Sequence, residues 1–185
     1  MSILRFLGLT TDEVSSRAQD PSAESDIIRR IVGELEALPA VKARYLATFA
    51  YVLGRAAHAD SHFSEEETRK MLEIVQVLGH VPEPQAILVV EMAKSQVRLF
   101  GGTDNYVVTR QFKELATPEQ RFELLECVFA VTAADESITV AEEGQARQIS
   151  KELGLTHAEF VAARATYVEH VEALKAFQRQ RDRKP

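Results

Sequence analysis

Two short segments of this chain carry the residue types best suited to chemistry, and each pairs an aspartate with a glutamate. The first acidic corner, residues 59–67, contains Asp60 and Glu67, and the second acidic corner, residues 134–142, contains Asp135 and Glu142 at the same spacing. Carboxylate oxygens are the ligands that Ca²⁺, Mg²⁺ and Mn²⁺ prefer in proteins. The four carboxylates are therefore candidate metal ligands.

Two histidines flank the aspartate of the first acidic corner. Imidazole and carboxylate groups together bind zinc and other transition metals. His58 and His62 are accordingly weaker candidate ligands beside Asp60. The second acidic corner offers Ala133 and Ser137 at the matching places, so such a site would be confined to the first. The alternative is that both histidines are simply solvated.

The same acidic residues also have a purely structural interpretation. In a capping box, a Ser or Thr hydroxyl and a Glu carboxylate three residues later satisfy free backbone N–H groups at a helix start. Ser64 with Glu67 and Thr139 with Glu142 fit that spacing. The aspartates would then close Asx turns in the preceding loops. An EF-hand is excluded, because no glycine lies inside the first acidic corner to make the sharp turn of such a loop.

The two acidic corners belong to a longer internal repeat. They are 75 residues apart (135 − 60), and the same offset places Phe49 on Leu124, Leu53 on Val128 and Gly79 on Gly154. Apolar faces and helix stop signals thus coincide, which indicates a duplicated helix-loop-helix unit. Because two amphipathic helices cannot bury their apolar stripes alone, we expect the units to pack about a pseudo-twofold axis that brings the acidic corners onto one surface.

Helical periodicity covers most of the chain. Start and stop signals predict helices over 26–38, 46–57, 65–78, 85–99, 118–134, 139–153 and 156–178, with a short segment at 107–115. The sequence predicts an all-α protein, a single compact helical domain of seven or eight helices over residues 24–178. An N-terminal arm, residues 1–23, precedes it, and a basic tail, residues 179–185, follows it.

Composition narrows the function classes. The net charge of −6 argues against a nucleic-acid partner, because phosphate affinity comes chiefly from Lys and Arg. Cys127 is the single cysteine, so no disulfide can form within the chain, and its apolar helix favours a structural thiol. No stretch reaches the ~20 apolar residues of a membrane span. We expect a cytoplasmic protein. We also expect no enzymatic activity, since phosphate-binding Gly-rich loops and nucleophile elbows are missing.

The acidic corners share one motif, namely Ala-Asp, two residues, Phe or Ile, Ser or Thr, two residues, and Glu. This motif, in its helical context over residues 25–175, resembles the tellurite-resistance TerB family and the related N-terminal domain of DjlA-type co-chaperones. The resemblance implies a seven- or eight-helix domain with an acidic surface, a role in stress or metal-oxyanion response, and no established enzymatic activity. Ser61 and Glu136 replace the glycine usual after the motif aspartate, and a non-Gly residue disfavours positive φ there.

Three functional hypotheses follow. The first is a TerB-like stress-response interaction module, non-catalytic, whose acidic face binds a partner protein or a divalent cation (Ca, Mg, Mn or Zn). The second is a membrane-proximal scaffold that uses the apolar residues within 1–9 to contact a membrane or a partner's groove. The third is a metal-dependent helical-bundle enzyme. Such enzymes use Glu-x-x-His ligands, a pattern that the adjacent Glu169 and His170 do not match.

Overall fold

The structure is a computed structural model that describes residues 23–57, 64–95, 105–132 and 140–167. The helices are α1 (Ala23–Glu36), α2 (Ala40–Ala56), α3 (Glu65–Val77), α4 (Glu83–Lys94), α5 (Asn105–Leu115), α6 (Pro118–Thr132), α7 (Val140–Leu153) and α8, described over 157–167. The predicted all-α class and compact helical domain are confirmed. The predicted boundaries of the N-terminal arm and of the basic tail stay predictions.

Helix α2 lies at the centre of the fold. It contacts α1, α4, α5, α6 and α7. Every residue from Tyr45 to Gly54 is buried, and all but Thr48 and Gly54 carry apolar or aromatic side chains, so α2 is enclosed by its neighbours on all sides. The Phe49 ring meets Phe112 of α5 edge-on, with the ring centroids 6.0 Å apart. Burying a side chain of this size contributes roughly 1.5–3 kcal/mol to stability.

Local hydrogen bonds fix where α6 and α8 begin. The Thr117 backbone N–H donates to Gln120 Oε1 at 2.9 Å, and the Gln120 N–H donates back to Thr117 Oγ1 at 3.3 Å. Pro118 occupies the first helical position, where its missing N–H costs nothing. Thr156 and Glu159 form the same reciprocal pair before α8, at 2.7 and 3.2 Å. The predicted start of α6 at Thr117 and Pro118 is therefore confirmed.

The predicted starts of α1, α2 and α4 were late by three, six and two residues (26 − 23, 46 − 40 and 85 − 83). Helix α1 begins at Ala23, because Ala23 and Glu24 are themselves good helix formers, so Ser25, whose residue type would suit an N-cap before residue 26, lies inside the helix. Helix α4 begins at Glu83 rather than at Gln85. Pro84 lies in the first turn of α4, where backbone N–H groups have no partner within the helix and a proline is tolerated.

The starts of α3 and α7 differ by the 75-residue offset of the predicted repeat, whereas the starts of α2 and α6 differ by 78 residues (118 − 40). Helix α3 begins at Glu65 and α7 at Val140 (140 − 65 = 75). Helix α3 of the first unit contacts α6 of the second, and α7 of the second unit contacts α2 of the first. These bounds and contacts are compatible with two related units. The pseudo-twofold axis itself stays a prediction.

The glycines that follow α3 and α7 serve different physical purposes. Gly154 has a φ of +73°, a left-handed conformation that favours glycine. After α3 the residue with positive φ is His80, at +49°, and not Gly79. A Cβ on Gly79 would lie 2.7 Å from the Val75 carbonyl oxygen and 3.0 Å from the Phe49 ring. Gly79 is therefore required by close packing and Gly154 by its backbone conformation.

Candidate functional site

Two of the six candidate ligands lie in the described part of the chain. Glu67 is in the first turn of α3, and Glu142 is in the first turn of α7. The remaining candidates lie outside the described residues; they are Asp60, Asp135, His58 and His62. The clustering of the four carboxylates therefore stays a prediction. The positions of the described helices on either side of the acidic corners are the geometry that bears on this prediction.

Glu67 has a structural role at the start of α3. The Ser64 backbone N–H donates to Glu67 Oε2 at 2.7 Å, and the Glu67 N–H donates to Ser64 Oγ at 3.1 Å. This is the predicted capping box. The hydrogen bonds from Ser64 hold the pKa of the Glu67 carboxyl below its ordinary value. Glu67 is exposed and ionised, and its position is explained without a cation.

Glu142 lies beside the contact between α7 and the C-terminal end of α2. Gln145, one turn further along α7, donates from Nε2 to the backbone carbonyl oxygen of Arg55 at 2.6 Å. Residues three apart lie on the same side of a helix, so Glu142 and Gln145 share the side of α7 that faces the end of α2. Glu142 is partly buried there. Glu142 therefore lies one turn of α7 before the residue that contacts the end of α2.

An ion pair between α2 and α7 stands next to this contact. The Arg55 and Glu152 side chains are 12% and 5% exposed, and Arg55 Nη1 lies 2.6 Å from Glu152 Oε2. Gln148 donates to Glu152 Oε1 at 3.0 Å, and Arg55 also donates to Thr109 Oγ1 of α5 at 3.4 Å. Burial raises the pKa of Glu152, but the hydrogen bonds from Arg55 and Gln148 outweigh it and hold the pKa below the ordinary value. Glu152 is therefore ionised at neutral pH and pairs with the Arg55 guanidinium.

The sequence patterns predicted neither the Arg55–Glu152 ion pair nor the hydrogen bond from Gln145 to Arg55. Arg55 is the one charged residue between Tyr45 and Ala57, and a lone charge in an apolar helix signals a buried partner. Glu152 and Gln145 gave no comparable signal, because both occur among other polar residues of α7. Their partners are 97 and 90 residues away along the chain.

Comparison with known proteins gives one finding. A family model described as "Tellurite resistance protein TerB" matches residues 45–165, well over half of the 185 residues. The chain belongs to the TerB family. The match runs from the first half of α2 into α8 and includes both acidic corners, so the resemblance proposed from the acidic motif is confirmed. No curated protein and no solved structure gives a significant match.

A second group of ionisable side chains in this TerB domain lies where α3 ends. His80 Nδ1 is 3.1 Å from Glu123 Oε1 of α6. Burial raises the pKa of the neighbouring Glu126 carboxyl, as does the charge of Glu123, while His80 opposes the shift. In the ranges that the structure describes, no three His, Cys, Asp or Glu side chains are grouped so that they could hold a metal ion. We therefore interpret this group as a histidine–carboxylate contact with a second carboxylate nearby.

The cysteine of the TerB domain is enclosed by the core. Cys127 Sγ lies 3.8 Å from the Ile74 carbonyl oxygen. Burial raises the pKa of the Cys127 thiol, and the charges of Glu126 and Glu123 raise it further. The thiolate, which is the nucleophilic form, is therefore disfavoured. This environment is the one that a structural cysteine has.

One functional hypothesis places the chain at a membrane. None of the helices in the described ranges combines the length and the apolar character of a membrane span. The interfacial contact predicted for residues 1–9 lies outside the described residues and stays a prediction.

Proposed function

We propose that this TerB-family chain is a non-catalytic module of the stress-response type whose acidic corners bind a divalent cation. Asp60, Glu67, Asp135 and Glu142 are the proposed ligands, and their oxygen atoms suit Ca²⁺, Mg²⁺ or Mn²⁺ better than Zn²⁺. Family membership supports the class of protein, and the contact between Gln145 and the end of α2 supports the site.

That contact supports the site because it limits how far apart two proposed ligands can be. Asp60 follows Ala57 by three residues, so the Cα atoms of Asp60 and Ala57 are at most about 11 Å apart in any conformation. Ala57 caps α2 two residues after Arg55, whose carbonyl oxygen is bonded to Gln145. Glu142, one turn from Gln145, therefore lies on the side of α7 from which a cation could be shared with Asp60.

Electrostatics favour a cation at this place. A helix C-terminus carries a partial negative charge, and a carboxylate beside it costs about 0.3–1 kcal/mol. The end of α2, Asp60 and Glu142 would together concentrate negative charge, which a bound cation relieves. Arg55 cannot provide this relief, because its guanidinium is bonded to Glu152.

The two described ligands contribute unequally in this proposal. One oxygen of Glu67 accepts the hydrogen bond from the Ser64 backbone, so at most the other is free for a cation. Glu142 is partly buried and faces the end of α2. Because partial burial strengthens the attraction between a carboxylate and a cation, we expect Glu142 to matter more for affinity than the exposed Glu67.

Calorimetric titration of the full chain with CaCl₂, MgCl₂, MnCl₂ and ZnCl₂ tests the proposal. We expect saturable heat with at least one of the first three salts, and a roughly tenfold or greater loss of affinity in Glu142→Gln, as is usual for altered metal shells. Glu143→Gln is the matched control. It removes the adjacent carboxylate, which is bonded to Arg147 and Arg164, and should bind like the unaltered chain. Absence of heat at millimolar concentrations of every salt would overturn the cation proposal.

A further inference from the structure

Helix α1 packs on the rest of the fold by one side, chiefly against α4 and α2. Ile31 and Leu35, one turn apart, are fully buried, and Val32 beside them is buried as well. Arg29 and Glu34, on the other side of the helix, are exposed. Helix α1 is therefore amphipathic, and its apolar side lies against α4 and α2.

The edge at which α1 meets α4 is open to solvent. Arg30 of α1 pairs with Glu91 of α4, and their side chains are 54% and 28% exposed. Ile27 lies one turn before Arg30 and is 38% exposed, and Ile87 lies one turn before Glu91 and is 44% exposed. Exposed ion pairs contribute little to stability. This edge of α1 is therefore held weakly, in contrast to α2, which is enclosed on all sides.

The connection between α1 and α2 separates their backbone hydrogen bonds. The Leu38 N–H donates to the Leu35 carbonyl oxygen, and the Ala43 N–H donates to the Pro39 carbonyl oxygen, so these bonds lie on either side of the Leu38–Pro39 peptide bond. Pro39 has no N–H to donate, and it precedes α2 without a side-chain capping bond. Helix α1 can therefore leave its place without disturbing the hydrogen bonds that begin α2.

Two further features distinguish α1 from the other helices. The match to the TerB family begins at residue 45, beyond the end of α1 at Glu36. Gly33 lies inside α1, and a glycine in a helix interior lowers the stability of that helix. Helix α1 is thus a weak helix that lies outside the matched region and covers part of it.

We propose that α1 is a releasable strap and that the surface beneath it is a binding site for an amphipathic helix of a partner protein. This surface, the α1 seat, is the side of α2 and α4 against which α1 packs. On α4 it includes Leu88, which is 2% exposed and lies one turn before Glu91. Release of α1 would expose apolar area there, and burial of that area by a second helix is favourable. The inference does not depend on the proposed cation site.

The resident helix α1 specifies the chemistry of the partner. The α1 seat accepts apolar side chains at the spacing of Ile27, Ile31 and Leu35, which are four residues apart along one side of a helix. It also presents the Glu91 carboxylate at its edge, where α1 places Arg30. We therefore expect a partner helix with an apolar residue in every turn and a basic residue beside the apolar stripe. Amphipathic helices bind in apolar grooves in this way.

Native-state hydrogen exchange of the full chain tests whether α1 is released. We expect the amides of Ile31 and Leu35 to exchange at least roughly tenfold faster than those of Phe49 and Leu53 in α2, because a local opening requires less free energy than global unfolding. Their exchange should also depend less on urea, since release of one helix exposes less surface. Equal rates with equal urea dependence would show that α1 opens only when the whole chain unfolds, and would overturn the inference.

A charge swap tests whether α1 opens as a unit. Arg30→Glu should speed exchange throughout α1 by roughly two- to fivefold, the factor expected for loss of an exposed ion pair. The double variant Arg30→Glu with Glu91→Arg should restore the original rates, and exchange in α5 to α8 should not change. An increase confined to the first turn of α1 would indicate fraying of a helix end and would contradict release.

Binding of a peptide with the sequence of residues 23–38 tests the α1 seat. In the full chain, Ile31→Asp should release α1, because burying an unpaired carboxylate is costly. Fluorescence anisotropy should then show saturable binding of the labelled peptide. The unaltered chain should bind it at least roughly tenfold more weakly, because its own α1 competes at a high effective concentration. Arg29→Asp is the matched control and should behave like the unaltered chain, because Arg29 is exposed and pairs with Asp26 of its own helix.

Three outcomes of the peptide experiment would overturn the inference. The first is loss of most of the helical circular dichroism signal in Ile31→Asp, which would show that the chain does not fold without α1 in place. The second is absence of peptide binding by a folded Ile31→Asp variant. The third is equally strong binding of a peptide that carries both Ile31→Asp and Leu35→Asp, which would show that the apolar stripe is not what the protein recognises.

Discussion

Replacement of individual glycines by alanine should change stability in opposite directions, and the structure gives both signs. Gly144 lies inside α7 and a Cβ added to it would meet nothing within 4 Å. Alanine is about 0.8–1 kcal/mol better than glycine in a helix interior, because it loses less backbone entropy on folding. We expect Gly144→Ala to raise the free energy of unfolding by about 1 kcal/mol, and the Tm by about 2–4 °C for a chain of this size.

Gly79→Ala should do the reverse. The new Cβ would lie 2.7 Å from the Val75 carbonyl oxygen, 3.0 Å from Phe49 Cζ and 3.3 Å from Cys127 Sγ. Val75 O is a backbone atom that accepts the hydrogen bond from the Val81 N–H, and Phe49 is fully buried, so neither can move away freely. Overpacking of this kind costs about 1–3 kcal/mol.

Urea unfolding followed by far-UV circular dichroism measures both changes. Gly33→Ala is the matched control for the helical effect, because Gly33 of α1 also has open space around it. It should stabilise the chain about as much as Gly144→Ala does. A loss of stability in Gly144→Ala would refute the expectation that the added methyl group meets open space. A gain of stability in Gly79→Ala would refute the argument that its methyl group clashes with Val75 and Phe49.

Three further predictions use the same unfolding assay or a chemical probe. Glu152→Gln should cost about 3 kcal/mol, because it leaves the Arg55 charge without its partner, and it should reduce the acid sensitivity of the fold. The pKa of Glu152 is lower in the folded chain than its ordinary 4.5, so its contribution is present above that pH and is lost as the pH falls below it. Ser64→Ala should cost about 1 kcal/mol by removing the α3 capping box with Glu67. Cys127 should react with Ellman's reagent only when the chain unfolds, and fast labelling of the folded chain would contradict its burial.

Short-range features of this fold were predictable from the sequence. The Ser64–Glu67 capping box joins residues three apart, so the motif alone determines it. The same holds for the start of α6 at Thr117 and Pro118. Family membership also followed from a local motif that occurs twice. The sequence therefore predicted the helices, their order and their class, and it placed Glu67 and Glu142 at helix starts.

Interactions between distant residues could not be predicted in the same way. The hydrogen bond from Gln145 to Arg55 joins residues 90 apart, and no local pattern marks Gln145 as its donor. Gly79 and Gly154 match in the repeat and both follow a helix, but only coordinates reveal that one is required by packing and the other by φ. Sequence periodicity gives the face of a helix that is buried, whereas the identity of the neighbouring helix depends on the whole fold.

The Arg55–Glu152 pair is better explained by specificity than by stability. Replacing a buried ion pair with apolar residues of similar volume is often neutral or stabilising, so stability alone gives little reason for it. A shift of α7 by one turn, about 5.4 Å, would separate the two charges and leave both largely buried without a partner. The pair therefore penalises other registers of α7 against α2, and the contact of Gln145 with Arg55 exists in this register alone. Ala130 and Val77, which lie 75 residues from Arg55 and Glu152 in the register of the predicted repeat, cannot form such a pair, so the packing of α3 against α6 is not specified in this way.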